Sequence, residues 1–498
     1  MIPINYAQML QLALPEVIVA ITALIVLAMD LLFLRRYQTR PRFTIAAGLA
    51  SVGCAGAILH LLLAPAQANV LDGVLVANPL THLVQIELLV LTIFTLLLSV
   101  DSTFTEHVGE FVLLILAATV GMMFLVGSQD ILLIFISLEL LSLSLYILTA
   151  FDKRSARSSE AALKYFLFGG MSAAFLLFGL SLLYGLSNST SLTQIASAIH
   201  GQPLNPLLVI AIVTTVIGLG FKVAAVPFHF WAPDVYQGAP VPSAAFIASG
   251  SKVASFFIFF QLMAIGFAGA EGSAAWLHFT PGWASVIAVV AALSMVLGNL
   301  VAIVQSSVRR LLAYSAIAHA GYILLAILSH TQQSLAALLY YVVTYALATL
   351  GAFGVIAVVE KQTGGDQLSD FNGLSRRAPV LSLCLFIFLL SLAGIPPLAG
   401  FFGKFYLFVS VLAATPGSNG LLWLVILAIA MSAVSLYYYL QVLKRMYVAD
   451  PPVEAGGIRA PILSQVVIVL LAMVIVLLGC APHLLLRWIL EAIQVSGL

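Results

Sequence analysis

Four ionisable side chains stand inside long apolar stretches of this chain. Glu139 lies in ILLIFISLELLSLSL, Lys222 in GLGFKVAAVPFHFW, Lys252 in IASGSKVASFF and Lys404 in AGIPPLAGFFGKFYLF. A lysine at the centre of a spanning helix costs about 2.5–3.5 kcal/mol on insertion scales, so three together cost roughly 8–10 kcal/mol. Packing alone does not require such residues. Taking an ammonium or a carboxylate out of water disfavours its charged form, which readies both groups for proton exchange. A nearby carboxylate holds an ammonium protonated, and its withdrawal lets the proton leave. Glu139 and Lys222 are therefore expected to act as a pair whose state depends on distance. The competing readings are a static buried ion pair and lysines that snorkel to an interface. Snorkelling suits Lys252 poorly, because it lies about ten residues, or about 15 Å of helix, into its run.

The surroundings of these residues add detail. Pro227 follows Lys222, and Pro396–Pro397 precede Lys404. Proline removes a backbone donor, and the freed groups survive in a membrane only where protein or trapped water satisfies them. Water beside a lysine is what a proton wire needs. Gly218, Gly220, Gly400 and Gly403 let backbones approach closely, or simply serve helix packing. His229 and His319 are candidate relays at neutral pH, although each also fits a hydrogen-bonded core histidine. Glu160 and Lys164 sit one turn apart and are either a point of proton uptake from the inside or a plain interfacial ion pair. Asp30 is expected to pair with Arg35. The motif GxGxxG after a strand, GxxxxGK[ST], HExxH and a cysteine cluster are all missing from the sequence. No nucleotide, flavin, iron–sulfur or metal site is therefore expected on this chain. Cys54, Cys384 and Cys480 sit in apolar runs as inert packing residues.

The elements that carry these residues follow from composition. Hydrophobic residues make up 62% of the 498 residues and charged residues only 8%, against about 25% charged in soluble chains. A spanning helix needs about 20 apolar residues. Fourteen runs qualify: 13–34, 44–64, 80–100, 108–128, 130–150, 162–187, 206–231, 242–268, 283–305, 311–328, 335–360, 380–413, 421–447 and 462–490. The fold class is thus an all-α polytopic membrane protein with about fourteen transmembrane helices. No basic n-region precedes the first run, which reads as a retained helix. With the N-terminus outside, sixteen of the twenty Lys and Arg fall in inner loops, only Arg487 falls outside, and three lie within helices. That asymmetry satisfies the positive-inside rule and checks the segment count. The net charge of +1 gives no reason to expect nucleic acid as a partner.

A shift of the chain by 180 residues lays Glu139 over His319 and puts Lys222 two residues from Lys404. The fifth helix then matches the tenth, and the seventh matches the twelfth. An offset of five helices is odd, so the copies run in opposite directions. Two inverted five-helix repeats are expected (helices 4–8 and 9–13), each with a proline-broken helix, a transporter signature. The expected divisions are 1–105 for the first three helices, 106–270 and 271–450 for the repeats, and 451–498 for the last loop and helix 14.

Three stretches carry a family resemblance: GLGFKVAAVPFHFWAPDVYQGAPVPSAAFIASGSK, RRLLAYSAIAHAGY and LSLAGIPPLAGFFGKF. They resemble the antiporter-like membrane subunits of respiratory NADH:quinone oxidoreductase (complex I), strongest from about residue 105 to 450. The opening LPEVIVAITALIVLAMDLL, the VPFHFWAPDVYQGAPVP run and the lysine at 404 are similar to the subunit N (subunit 2) group. The resemblance implies that Glu139, Lys222, Lys252 and Lys404 form part of a hydrated polar axis at the membrane midplane. It implies proton movement driven by quinone reduction elsewhere. NADH, FMN, iron–sulfur clusters and quinone would then belong to partner subunits, with none of them held by this chain. Other membrane subunits and the lipid of a bacterial inner membrane are the implied partners. The alternative is a subunit of a monovalent cation/proton antiporter.

Overall fold

The structure is a computed structural model that describes residues 6–64, 68–70, 73–201, 203–414, 420–452 and 456–497, with only the backbone of 6–8 and 68–70. The described chain is nearly all helical, with two short hairpins at Ala68–Val70/Leu75–Ala77 and Ser273–Ala275/His278–Thr280. After a short helix at Tyr6–Leu12, six long helices follow: α1 (Leu14–Leu32), α2 (Thr39–Leu63), α3 (Pro79–Ser99), α4 (Val108–Val126), α5 (Ile131–Thr149) and α6 (Ala156–Ser187). Each is at least 19 residues long, so even the shortest spans about 28 Å, close to the thickness of a bilayer core.

The seventh crossing is broken. Helix α7 (Pro206–Lys222) stops at the lysine, residues 223–230 are not helical, and α8 (Trp231–Gly238) resumes the path. The eighth crossing kinks at Ser249 between α9 (Val241–Ala248) and α10 (Gly250–Gln261), then ends in a π turn at Leu262–Gly266. Next come α11 (Trp283–Ile303), α12 (Val308–Ser329) and α13 (Gln332–Thr363). The twelfth crossing is broken again, between α14 (Pro379–Ala393) and α15 (Ala399–Ala413). Helices α16 (Leu422–Tyr447), α17 (Ile462–Cys480) and the short amphipathic α18 (His483–Ser496) complete the described chain. Among the described residues, twelve helices are long and apolar enough to span a membrane, and the two broken crossings bring the total to the expected fourteen.

The expected seventh run, 206–231, is interrupted around its proline, as the sequence pattern anticipates. Its last third, 223–230, is mostly apolar yet non-helical, and the groups freed there find partners inside the protein. Val226 N–H donates to Ser294 Oγ at 2.9 Å, and Trp231 Nε1–H donates to the Phe221 carbonyl at 3.0 Å. Non-helical backbone is tolerated at this depth because other helices surround it. The second break closes tightly for the same reason. A Cβ at Gly400 would lie 1.8 Å from the Ser391 carbonyl oxygen, and one at Gly403 would lie 2.4 Å from the Tyr341 ring.

The two halves of the chain repeat an arrangement. Just before α5, Asp130 bridges Ser191 and its side chain caps the helix by accepting from the Leu132 and Leu133 amides. Just before α12, Ser307 bridges Gln367 and caps the helix through the Arg310 amide. Each bridge ties the start of one long helix to the chain after the next helix. Helices α9, α10, α12 and α13 are buried almost throughout, while α1, α2, α6 and α16 form the rim with large exposed apolar side chains. A helix that is apolar on all faces fits either place in a membrane protein.

Asp30 does not pair with Arg35. It accepts two hydrogen bonds from Arg42, at 2.9 and 2.7 Å, and a third from the Gly109 amide at 3.0 Å. Arg35 lies past the end of α1 and reaches Glu110 at 3.7 Å. The reversal between α1 and α2 brings Arg42 back beside Asp30, which chain order alone does not reveal. Arg42→Ala is expected to cost about 3–5 kcal/mol, because it leaves a buried carboxylate unpaired. Denaturant titration of the purified protein checks this, and an unchanged midpoint would count against it.

Candidate proton-transfer site

Lys222 is the last residue of α7 and is buried. Its ammonium donates to Ser142 Oγ on α5 at 2.7 Å. Glu139 is half-buried, one turn earlier on α5, and lines the same small cavity as Lys222. No direct ion pair joins these two among the described residues. Glu139 also borders an exposed apolar stripe of Ile136, Leu140 and Leu143.

Lys252, on α10, donates from Nζ to the carbonyl of Val223, the capping residue just past the end of α7. Lys404, on α15, donates to the Ala393 carbonyl at the end of α14 at 2.9 Å and to Ser432 Oγ at 2.8 Å. The two lysines therefore cap the C-terminal ends of the two broken half-helices. Such ends carry unpaired carbonyls and partial negative charge, which favour a cation. The device occurs at both breaks and explains how an ammonium rests in the protein without a carboxylate.

His319, mid-way along α12, is buried and bonded on both ring nitrogens. Tyr341 Oη lies 2.6 Å from Nδ1, and Tyr439 Oη lies 3.2 Å from Nε2. Tyr439 also bonds Ser315. Beside it, Asn299 Nδ2 donates to Tyr322 Oη at 2.9 Å and Tyr438 Oη donates to Asn299 Oδ1 at 3.1 Å. The Lys404 ammonium lies 5.1 Å from the centre of the Tyr322 ring, within cation–π range. One set of polar groups thus runs from Glu139 through Lys222 and the Val223 carbonyl to Lys252, and another from His319 through the tyrosines to Lys404.

The other expected relays lie elsewhere. His229 is buried beside the first break and stacks on Phe230, with Nδ1 unpartnered among the described residues. Lys164 sits at the start of α6 between Glu160 and Asp234, both at 2.7 Å, and Asp234 also holds Arg310 at 2.7 Å. This network pins α8 to α6 and α12. Ser142, Ser432, Asn299 and the tyrosines were not singled out from sequence. The one available signal for Ser142 was its place one turn from Glu139; the tyrosines look like ordinary aromatic packing.

A buried polar path beside two broken crossings defines a membrane subunit of the ion-translocating type. A family model described as NADH:quinone oxidoreductase/Mrp antiporter, TM, matches residues 128–434, and the chain belongs to that family. Within it, the chain is similar to the subunit N proteins along nearly its whole length. It is 56% identical over 498 residues to NADH-quinone oxidoreductase subunit N 2 of Acidobacterium capsulatum, covering 98% of this chain and 99% of that one. It is 43% identical over 447 residues to NAD(P)H-quinone oxidoreductase subunit 2 of Trichodesmium erythraeum, covering 88% and 81%. A chain of respiratory complex I from Thermus thermophilus matches with a TM-score of 0.77 at 34% identity, covering 95% and 98%. A chain of the Mrp complex from Dietzia sp. matches with a TM-score of 0.80 at 19% identity, covering 97% of each, and shares the fold.

Proposed function

We propose that this chain is the proton-translocating subunit N of an NADH:quinone oxidoreductase. Protons move along Glu139, Lys222, Lys252, His319 and Lys404, driven by quinone reduction on other subunits. One observation carries the reading. The three buried ammonium groups rest on hydroxyl and carbonyl oxygens, and none has a carboxylate within ion-pair distance among the described residues. A static buried ion pair would need such a carboxylate, and a snorkelling lysine would not end on buried acceptors. An ammonium held by neutral acceptors can give up its proton without leaving a bare carboxylate behind.

On the inner side by the charge asymmetry, a cavity of about 600 Å3 opens beside Arg309 and Glu360 and reaches the link between α8 and α9. It provides a watery approach to the helices that carry Lys252. Arg309 closes its base by donating to the carbonyls of Tyr236 and Ala239 and to Glu360. NADH, FMN, iron–sulfur clusters and quinone belong on partner subunits in this reading, and this chain supplies translocation within a bacterial inner membrane. The repeats at 106–270 and 271–450 are its two working halves.

Lys252→Met is expected to slow NADH-driven proton movement by about 10²-fold, the lower range for loss of a proton-transfer group. Proteoliposomes containing the assembled complex check this. Wild-type pumping in that variant would remove Lys252 from the path. Sodium-dependent proton exchange in vesicles without NADH would instead favour a cation/proton antiporter.

A further inference from the structure

Lys222 faces Glu139 across a space shaped for something small. The Ser142 hydroxyl donates to the Leu138 carbonyl at 2.6 Å, so it turns a lone pair toward the ammonium it accepts at 2.7 Å. Glu139, Ser142 and Tyr146 follow at helical spacing on α5, so they share one face. Together with Lys222 and Ser172 they line a cavity of about 20 Å3. That volume suits one water molecule, which needs two to four polar partners. Two glycines let the walls of this space pack closely. A Cβ at Gly169 would lie 1.9 Å from Tyr146 Oη, and one at Gly218 would lie 2.5 Å from Leu176 Cβ. The Tyr146 ring is fixed by edge packing on Tyr165, with centroids 4.7 Å apart. Its hydroxyl is thereby held at the cavity wall.

We propose that Lys222 and Glu139 exchange their proton through a single water bound in this cavity, positioned by the Ser142 and Tyr146 hydroxyls. In the forward step an N–H bond of the ammonium breaks and its electron pair stays on Nζ. The proton joins the water oxygen, and a different proton of that water passes to a Glu139 carboxylate oxygen. A neutral amine, a neutral carboxyl group and an intact water remain, and the total charge is unchanged. The reverse step restores the ions. Ser142 and Tyr146 are positioning residues that keep donor, water and acceptor in line. This rests on the proton-carrier reading above and adds the route between its first two members.

The test uses the whole complex in proteoliposomes, with assembly checked by co-purification of the partner subunits. Ser142→Ala is expected to slow pumping by up to about 10²-fold, the cost of a proton-transfer geometry displaced by about 1 Å. Ser142→Thr, which keeps the hydroxyl, is expected to restore most of it. Tyr146→Phe keeps the ring packing and loses only the hydroxyl, so it decides the matter if Ser142→Ala fails to assemble. Wild-type pumping in Ser142→Ala, or a Thr variant no better than Ala, overturns the proposal; so does wild-type pumping in Tyr146→Phe if that variant must decide. A Lys222→Ala control separates the two levels. If it stops pumping while the hydroxyl variants pump normally, the carrier reading stands and the water route falls.

Discussion

Lys222→Ala is expected to slow proton movement through this chain by about 10²-fold or more. The substitution removes the one ammonium that sits on Ser142 and faces Glu139. It leaves the fold in place, because what surrounds Lys222 is held by backbone. The Val223 amide still donates to the Leu219 carbonyl at 3.0 Å, and the Val223 carbonyl still receives Lys252. The loss should therefore appear in transport and not in the yield of assembled complex. The measurement is the initial rate of NADH-driven acidification in proteoliposomes, taken alongside the quinone-reductase rate. A variant that pumps normally at full quinone-reductase rate would show that Lys222 carries no proton.

Lys404→Arg separates two roles that Lys404→Ala would confuse. A guanidinium keeps the positive charge and can still donate to the Ala393 carbonyl and Ser432, the present acceptors. It does not give up its proton in a protein. If Lys404 merely supplies fixed charge at the end of α14, the arginine should serve nearly as well. If the lysine carries a proton, the arginine should fail about as badly as alanine, again by about 10²-fold. The second outcome is expected. Crowding at the second break is a reason to check assembly, since a Cβ at Gly394 would already lie 2.9 Å from Lys404 Cδ. An assembled Arg variant with wild-type pumping would reduce Lys404 to an electrostatic post.

Much of this molecule is legible in its residues because a membrane allows so few solutions. Each crossing needs about 20 apolar residues with internally bonded backbone, so runs of that length mark the helices. The count of fourteen, the positions of the broken crossings and the burial of Lys222, Lys252 and Lys404 all follow in that way. The cost of a charge in hydrocarbon singles out these lysines with no knowledge of neighbours. The details of the breaks were not legible. The stretch 223–230 is apolar yet non-helical, and the kink at Ser249 has no proline at that position. The first depends on partners from distant helices, such as Ser294 for the Val226 amide.

Composition and periodicity by themselves determined a polytopic helical protein with costly charges at mid-depth and prolines beside two of them. That much is local, since insertion into a bilayer is settled segment by segment. Tertiary structure alone decided what each charge touches. It placed Ser142 against Lys222, a broken helix end against Lys252 and another against Lys404, and Arg42 against Asp30. It also gathered Asn299, Tyr322 and Tyr438 from three separate helices into one hydrogen-bonded group near His319. Hydrogen bonds act over about 3 Å, so partners far apart in the chain are chosen only when the helices pack.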